Sequence, residues 1–78
     1  MSMDPHKLLT MAEQITANMN YTDDKNVVAA KVAEHLRKFW DPRMQATLCD
    51  YARTPEAVLT EVLSAAVQLL QPPTTNNN

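Results

Sequence analysis

Apolar side chains recur along this chain at intervals of three and four, with polar ones filling the opposite positions. Leu8, Met11, Ala12, Ile15 and Met19 form one stripe, against Lys7, Thr10, Gln14 and Asn18. Val28, Val32, Leu36 and Phe39 repeat the spacing, with Ala29, Ala33 and Trp40 widening the face. Met44, Leu48 and Tyr51 give a third, narrower seam. This is the period of amphipathic α-helices, and no stretch alternates with the period of two that a half-buried strand requires. The starts are marked independently. Asp4-Pro5, Asp41-Pro42 and Thr54-Pro55 each set a capping side chain before a proline. The cap oxygen accepts an orphan N–H there, and proline's missing donor does no harm. Thr22-Asp23-Asp24 marks a fourth start, with carboxylates at the positive end of the helix dipole. The chain is therefore expected to be all-α, a compact bundle of four short helices over residues 5–20, 23–40, 42–53 and 55–70. A single domain over 1–70 and a polar, disordered tail over 71–78 complete that expectation.

The fourth helix carries more apolar surface than a small bundle needs. At about 100° per residue, Val58, Leu59, Val62, Leu63, Ala66, Val67, Leu69 and Leu70 spread over roughly half its circumference. Either this helix is central to the bundle, or part of the arc docks on another chain.

The stretch His35-Leu36-Arg37-Lys38-Phe39-Trp40-Asp41-Pro42-Arg43-Met44 is the most distinctive. Pro42 pushes Asp41 out of the α region, so the second helix ends near Trp40 and the third begins almost at once. Arg37 and Lys38 suit the negative end of the second helix's dipole, and Glu34–Lys38 is a well-oriented i,i+4 pair. Arg43 is less easily explained, because a cation in the first turn of a helix is disfavoured by a few tenths of a kcal/mol. It either bridges to Asp41 or stacks on Trp40, or else it reaches a partner's carboxylate. A Trp beside an Arg has the composition of a binding hot spot, although a lone Trp is also a common core residue. Phe39, Trp40, Arg43, Met44, His35 and Arg37 are therefore the candidate partner interface. On this reading Trp40→Ala or Arg43→Glu lowers co-purification with the partner and leaves helicity largely intact.

Composition narrows the chemistry. None of the 78 residues is glycine, so the usual phosphate-cradling and dinucleotide-binding turns cannot be built. One cysteine, Cys49, with His6 and His35 is too few for a zinc finger, an iron–sulfur cluster or a His/Cys metal site. Cys49 reads as a small buried or half-buried hydrophobe. No run of about 18 apolar residues or signal-peptide pattern occurs, and with the unpaired cysteine this points to the cytoplasm. The net charge of −2 gives no pull toward nucleic acid. Lys31, Arg37, Lys38 and Arg43 make a helix-turn-helix DNA-binding reading conceivable, but overall acidity and the tight corner oppose it. No nucleophile, base and oxyanion donor can be named together, so the chain is not expected to be an enzyme.

Met11-Ala12-Glu13-Gln14-Ile15, followed about twenty residues later by the His35–Met44 stretch, resembles the small delta subunit of bacterial NAD-dependent formate dehydrogenases containing molybdenum or tungsten. The resemblance runs from about Leu8 to Leu70, and Phe39-Trp40-Asp41-Pro42-Arg43-Met44 is its most specific part. Where members of that family often carry glycines between the third and fourth helices, this chain has Arg53-Thr54-Pro55-Glu56. The resemblance implies a cytoplasmic complex that oxidises formate and reduces NAD⁺. Its large alpha subunit carries bis-molybdopterin guanine dinucleotide with Mo or W and iron–sulfur clusters. Beta and gamma subunits carry FMN, further clusters and the NAD⁺ site. It further implies that this chain binds no cofactor and supports assembly, stability or cofactor insertion of the alpha subunit. A maturation factor that leaves after cofactor insertion is the alternative within the same system.

Overall fold

Every helix in this chain must stop without a glycine, and the ways it does so shape the fold. The computed structural model describes residues 4–19 and 22–70. They form α1 (Pro5–Asn18), α2 (Lys25–Phe39), α3 (Pro42–Ala52) and α4 (Glu61–Leu70), with no strand among the described residues. Met19 ends α1 with its N–H shared between the carbonyls of Ile15 and Thr16, both at 3.1 Å. Arg53 ends α3 with a tightened turn, its N–H donating to Asp50 at 3.2 Å. Such i→i−3 bonds satisfy terminal carbonyls without the left-handed residue that glycine usually supplies. The expected end of the first helix at Asn20 and the tail over 71–78 lie outside the described residues.

Three of the four starts rest on an aspartate. Asp4 accepts the His6 N–H at 3.0 Å, and Asp41 accepts those of Arg43 and Met44 at 2.9 and 3.0 Å. Asp24 accepts from Asn26 and Val27, so α2 begins at Lys25, two residues later than expected. Thr22 supports that cap by accepting the Asp24 N–H at 3.3 Å.

The fourth start corrects the sequence reading. Thr54-Pro55 does not open a helix, and α4 begins at Glu61 rather than 55. Thr54 is committed backwards: its N–H and hydroxyl both donate to the Tyr51 carbonyl, at 3.0 and 2.7 Å. Its own carbonyl accepts the Ala57 N–H at 3.2 Å, closing a turn with Pro55 in the second position, where its fixed φ is favoured. Thr60 is the cap that α4 uses. Its hydroxyl oxygen accepts the Leu63 N–H at 3.2 Å. Glu13 of α1 in turn accepts the Thr60 N–H and hydroxyl, each at 3.0 Å. A capping box normally takes its carboxylate from the third residue of the same helix. That position here is Leu63, and another helix provides the carboxylate.

α2 and α4 make the most extensive helix pair and run the same way. Lys25 meets Glu61 at their first turns, and Arg37 reaches the Leu69 carbonyl at their last, at 2.6 Å. Buried Ala29 and Ala33 on α2, with Ala66 on α4, leave room for close approach. Leu36, Leu48 and Leu63 are fully enclosed, and each contributes roughly 1.5–3 kcal/mol by leaving water. The arc on the fourth helix resolves with its true start. Leu63, Ala66, Val67 and Leu70 form the buried stripe, while Val58 lies before the helix and is 83% exposed. In α1 the buried face is Leu8, Leu9, Ala12 and Thr16, and Met11 of the expected stripe is exposed. Thr16 enters the core because its hydroxyl donates to the Ala12 carbonyl at 2.8 Å, leaving its methyl to pack.

The Lys25–Glu61 pair is exposed and sets register more than stability. The Lys25 hydrogen bond and charge hold the Glu61 carboxyl below its ordinary value of 4.5. Whatever the pair adds is present above that value and is lost as pH falls through the lowered one.

The cap supplied across helices should appear as coupling. Thr60→Ala is expected to cost about 1 kcal/mol, and Glu13→Ala a similar amount. In urea denaturation followed by far-UV circular dichroism, the double mutant should lose less than the two losses added, by roughly 0.5 kcal/mol or more. Simple additivity would show that Glu13 does not act through Thr60.

Candidate functional site: the corner between the second and third helices

The corner is built by two reciprocal caps. At Trp40 the backbone turns extended (φ −95°, ψ 137°), and its N–H still donates to the Leu36 carbonyl at 2.9 Å. Asp41 stays extended, as a residue before proline must, and caps α3. Gln45, one turn into α3, reaches back. Its side-chain amide donates to the Trp40 carbonyl at 2.7 Å and more weakly to that of Leu36 at 3.4 Å. The Trp40 carbonyl, just past α2, thus takes its partner from α3, and the first N–H groups of α3 take theirs from Asp41, the residue after Trp40. A corner closed from both sides holds its side chains in fixed directions.

Those directions separate the expected interface residues. Trp40 points inward and is 7% exposed, among the core residues. Phe39, its neighbour, points outward and is 71% exposed. His35, one turn earlier, packs its ring against Phe39 with centroids 4.7 Å apart and planes tilted by 45°. Met44 is half-buried and packs on the core from α3. Arg37 is tied to α4 through the Leu69 carbonyl, so it serves two helix ends at once. Arg43 is exposed, and it takes no part in the ion pairs among the described residues, Lys25–Glu61 and Asp50–Arg53. It neither bridges to Asp41, whose Oδ1 accepts backbone N–H groups, nor stacks on Trp40. The expected Glu34–Lys38 pair is likewise not among those ion pairs.

Trp40 therefore leaves the list of surface contacts. A side chain 7% exposed cannot be the ring that a partner grips; it fixes the corner from below. Gln45 was not visible as a corner residue from the sequence. The one available signal is its place, a long amide one turn beyond a helix junction with no residue to spare.

The remaining chemistry is sparse. No group of three or more His, Cys, Asp or Glu placed to hold a metal occurs among the described residues. No helix among them is long and apolar enough to cross a membrane. Cys49 is buried, and that burial pushes its thiol above the ordinary 9.0, against a smaller downward pull from Arg53. Such a thiol is protonated at neutral pH and is a poor nucleophile.

Residues 7–67 match the family model of FdsD, the NADH-dependent formate dehydrogenase delta subunit. The chain belongs to the FdsD family. No curated protein and no solved structure matches it. The delta-subunit match takes in α2, α3, the corner and most of α1 and α4. It also spans Arg53-Thr54-Pro55-Glu56, the segment without glycines, so the turn over Thr54–Ala57 lies inside the FdsD segment.

Two measurements distinguish the roles on this corner. Trp40→Ala should destabilise by about 3–5 kcal/mol, a large part of what a small domain has, seen as lost helicity or an early urea midpoint. Arg43→Glu should leave the midpoint unchanged or raise it by a few tenths of a kcal/mol, because it removes a cation from a helix N-terminus. Equal effects would contradict the placement of Trp40. Cys49 should react with iodoacetamide at neutral pH at least about tenfold more slowly in the folded chain than in urea. Equal rates would mean that the thiol is open.

Proposed function

We propose that this chain is the non-catalytic delta subunit of a cytoplasmic, NAD-linked formate dehydrogenase containing molybdenum or tungsten. In this reading it docks on the large alpha subunit, and supports its assembly, stability or cofactor insertion. The observation that carries the reading is the FdsD family match over residues 7–67. The chemistry of formate oxidation then belongs to the other subunits, with bis-molybdopterin guanine dinucleotide and iron–sulfur clusters in alpha, and FMN and the NAD⁺ site in beta and gamma. The docking role is supported by apolar side chains left outside a core already filled, Phe39 at 71% and Leu69 at 50% exposed among them. The α2–α3 corner is the proposed contact, with Phe39 and Arg43 exposed, half-buried His35 packed against Phe39, Met44 and Trp40 shaping it from inside, and Arg37 anchoring it to α4.

Affinity purification of the full chain from its native cells should bring down a large molybdopterin-containing subunit. Recovery of unrelated chains alone would overturn the assignment. Deleting the gene and measuring pterin and metal in the remaining complex then separates the roles. Normal cofactor content with a complex that dissociates on purification indicates a stabilising subunit. Cofactor depletion in an intact complex indicates insertion.

A further inference from the structure

The exposed face of α2 has a chemistry of its own. Met19, Lys31, Glu34, His35, Lys38 and Phe39 line a shallow groove of about 270 Å³ along it. Phe39 forms an apolar wall that His35 braces from one turn away. The charge beside that wall is uneven. Two lysines and one carboxylate line the groove, and neither lysine enters an ion pair among the described residues.

Across the whole chain the cations divide. Lys25 pairs with Glu61, Arg53 pairs with Asp50, and Arg37 donates to the Leu69 carbonyl. Lys7, Lys31, Lys38 and Arg43 have no such partner among the described residues. Lys31 and Lys38 line the groove with Phe39, and Arg43 follows in the first turn of α3. A chain with net charge −2 thus sets two of its uncommitted cations beside Phe39, the most exposed aromatic ring among the described residues. Opposite charge on a partner is the complement of that arrangement, and an aromatic side chain set among charges that a partner desolvates is the form of a binding hot spot.

We infer that the Lys31–His35–Lys38–Phe39 face of α2 receives an acidic segment of the large subunit, with Phe39 entering an apolar socket there and the lysines meeting carboxylates around it. This rests on the accessory-subunit reading and adds to it the face used and the chemistry of its partner. The lysines set the rate of encounter and its salt dependence, and Phe39 sets the lifetime of the complex. All three side chains are exposed, so replacing them leaves the core untouched.

The test titrates the full-length chain against formate dehydrogenase purified from cells that lack it, at salt from about 50 to about 500 mM. Phe39→Ser should weaken binding at least about tenfold, with an unchanged circular dichroism spectrum. Lys31→Glu with Lys38→Glu should weaken it by a similar factor at low salt and flatten the salt dependence. Lys7→Glu, which reverses an uncommitted lysine on α1, should bind as wild type. If wild-type chain binds and both groove variants bind equally well, this face is wrong while the accessory reading stands. If Phe39→Ser weakens binding and the lysine reversals do not, the acidic character of the partner is overturned. Failure of the wild-type chain to bind any subunit removes the accessory reading and this face together.

Discussion

The parallel contact between α2 and α4 is the constraint from which the rest of the fold follows. Two helices that lie side by side and point the same way cannot be joined by a short loop. The chain must first travel back along their length. α3 makes that return, and residues 53–60 bring the chain round to the start of α4. The core lies where these elements meet, at Leu36, Leu48 and Leu63, each from a different helix. α1 closes the remaining side with Leu8, Leu9 and Ala12, and its Glu13 holds the N-terminus of α4 through Thr60. Close approach of α2 and α4 is possible because alanines occupy the buried positions where larger side chains would hold the axes apart.

The same geometry decides which residues of the corner are free. α2 has to end where α3 can start its return, and Asp41-Pro42 makes that turn without a linker. Trp40 then falls on the side facing the core and Phe39 on the side facing solvent. The two aromatics are adjacent in sequence and have opposite roles. Burying Trp40 secures the corner, and a secured corner holds Phe39 outward at a low further cost in conformational entropy. The exposed groove is thus a consequence of how the core is closed. Its support, the Gln45 amide on the Trp40 and Leu36 carbonyls, is likewise a structural bond that serves the surface.

Much of this was legible in the chain itself. The α-helical period, the Asp4-Pro5 and Asp41-Pro42 starts and the corner are local features, fixed by steric limits on proline and by the geometry of a capping carboxylate. Thr54-Pro55 carries the same local signature and yet makes a turn. Its hydroxyl found a nearer acceptor in the Tyr51 carbonyl. Thr60 could take over the start of α4 because α1 brought Glu13 to it, across 47 positions of sequence. No pattern within the fourth segment contains that carboxylate.

The resemblance carried by Phe39–Met44 was also in the sequence, and with it the family. The division of labour among those residues was not. Helical period places Leu36, Phe39 and Trp40 on one broad face, and burial separates them only once α3 and α4 are in position. The sequence by itself determined the helical period, the Asp4 and Asp41 caps, the corner and the lack of any glycine for glycine-dependent sites, because each depends on neighbours within a turn or two. Only the tertiary structure decided which aromatic is core, which arginine is tethered, where α4 begins and which lysines are left uncommitted. Those outcomes depend on which surfaces compete for burial and which carboxylate or carbonyl is brought within reach, and both are set by distant parts of the chain.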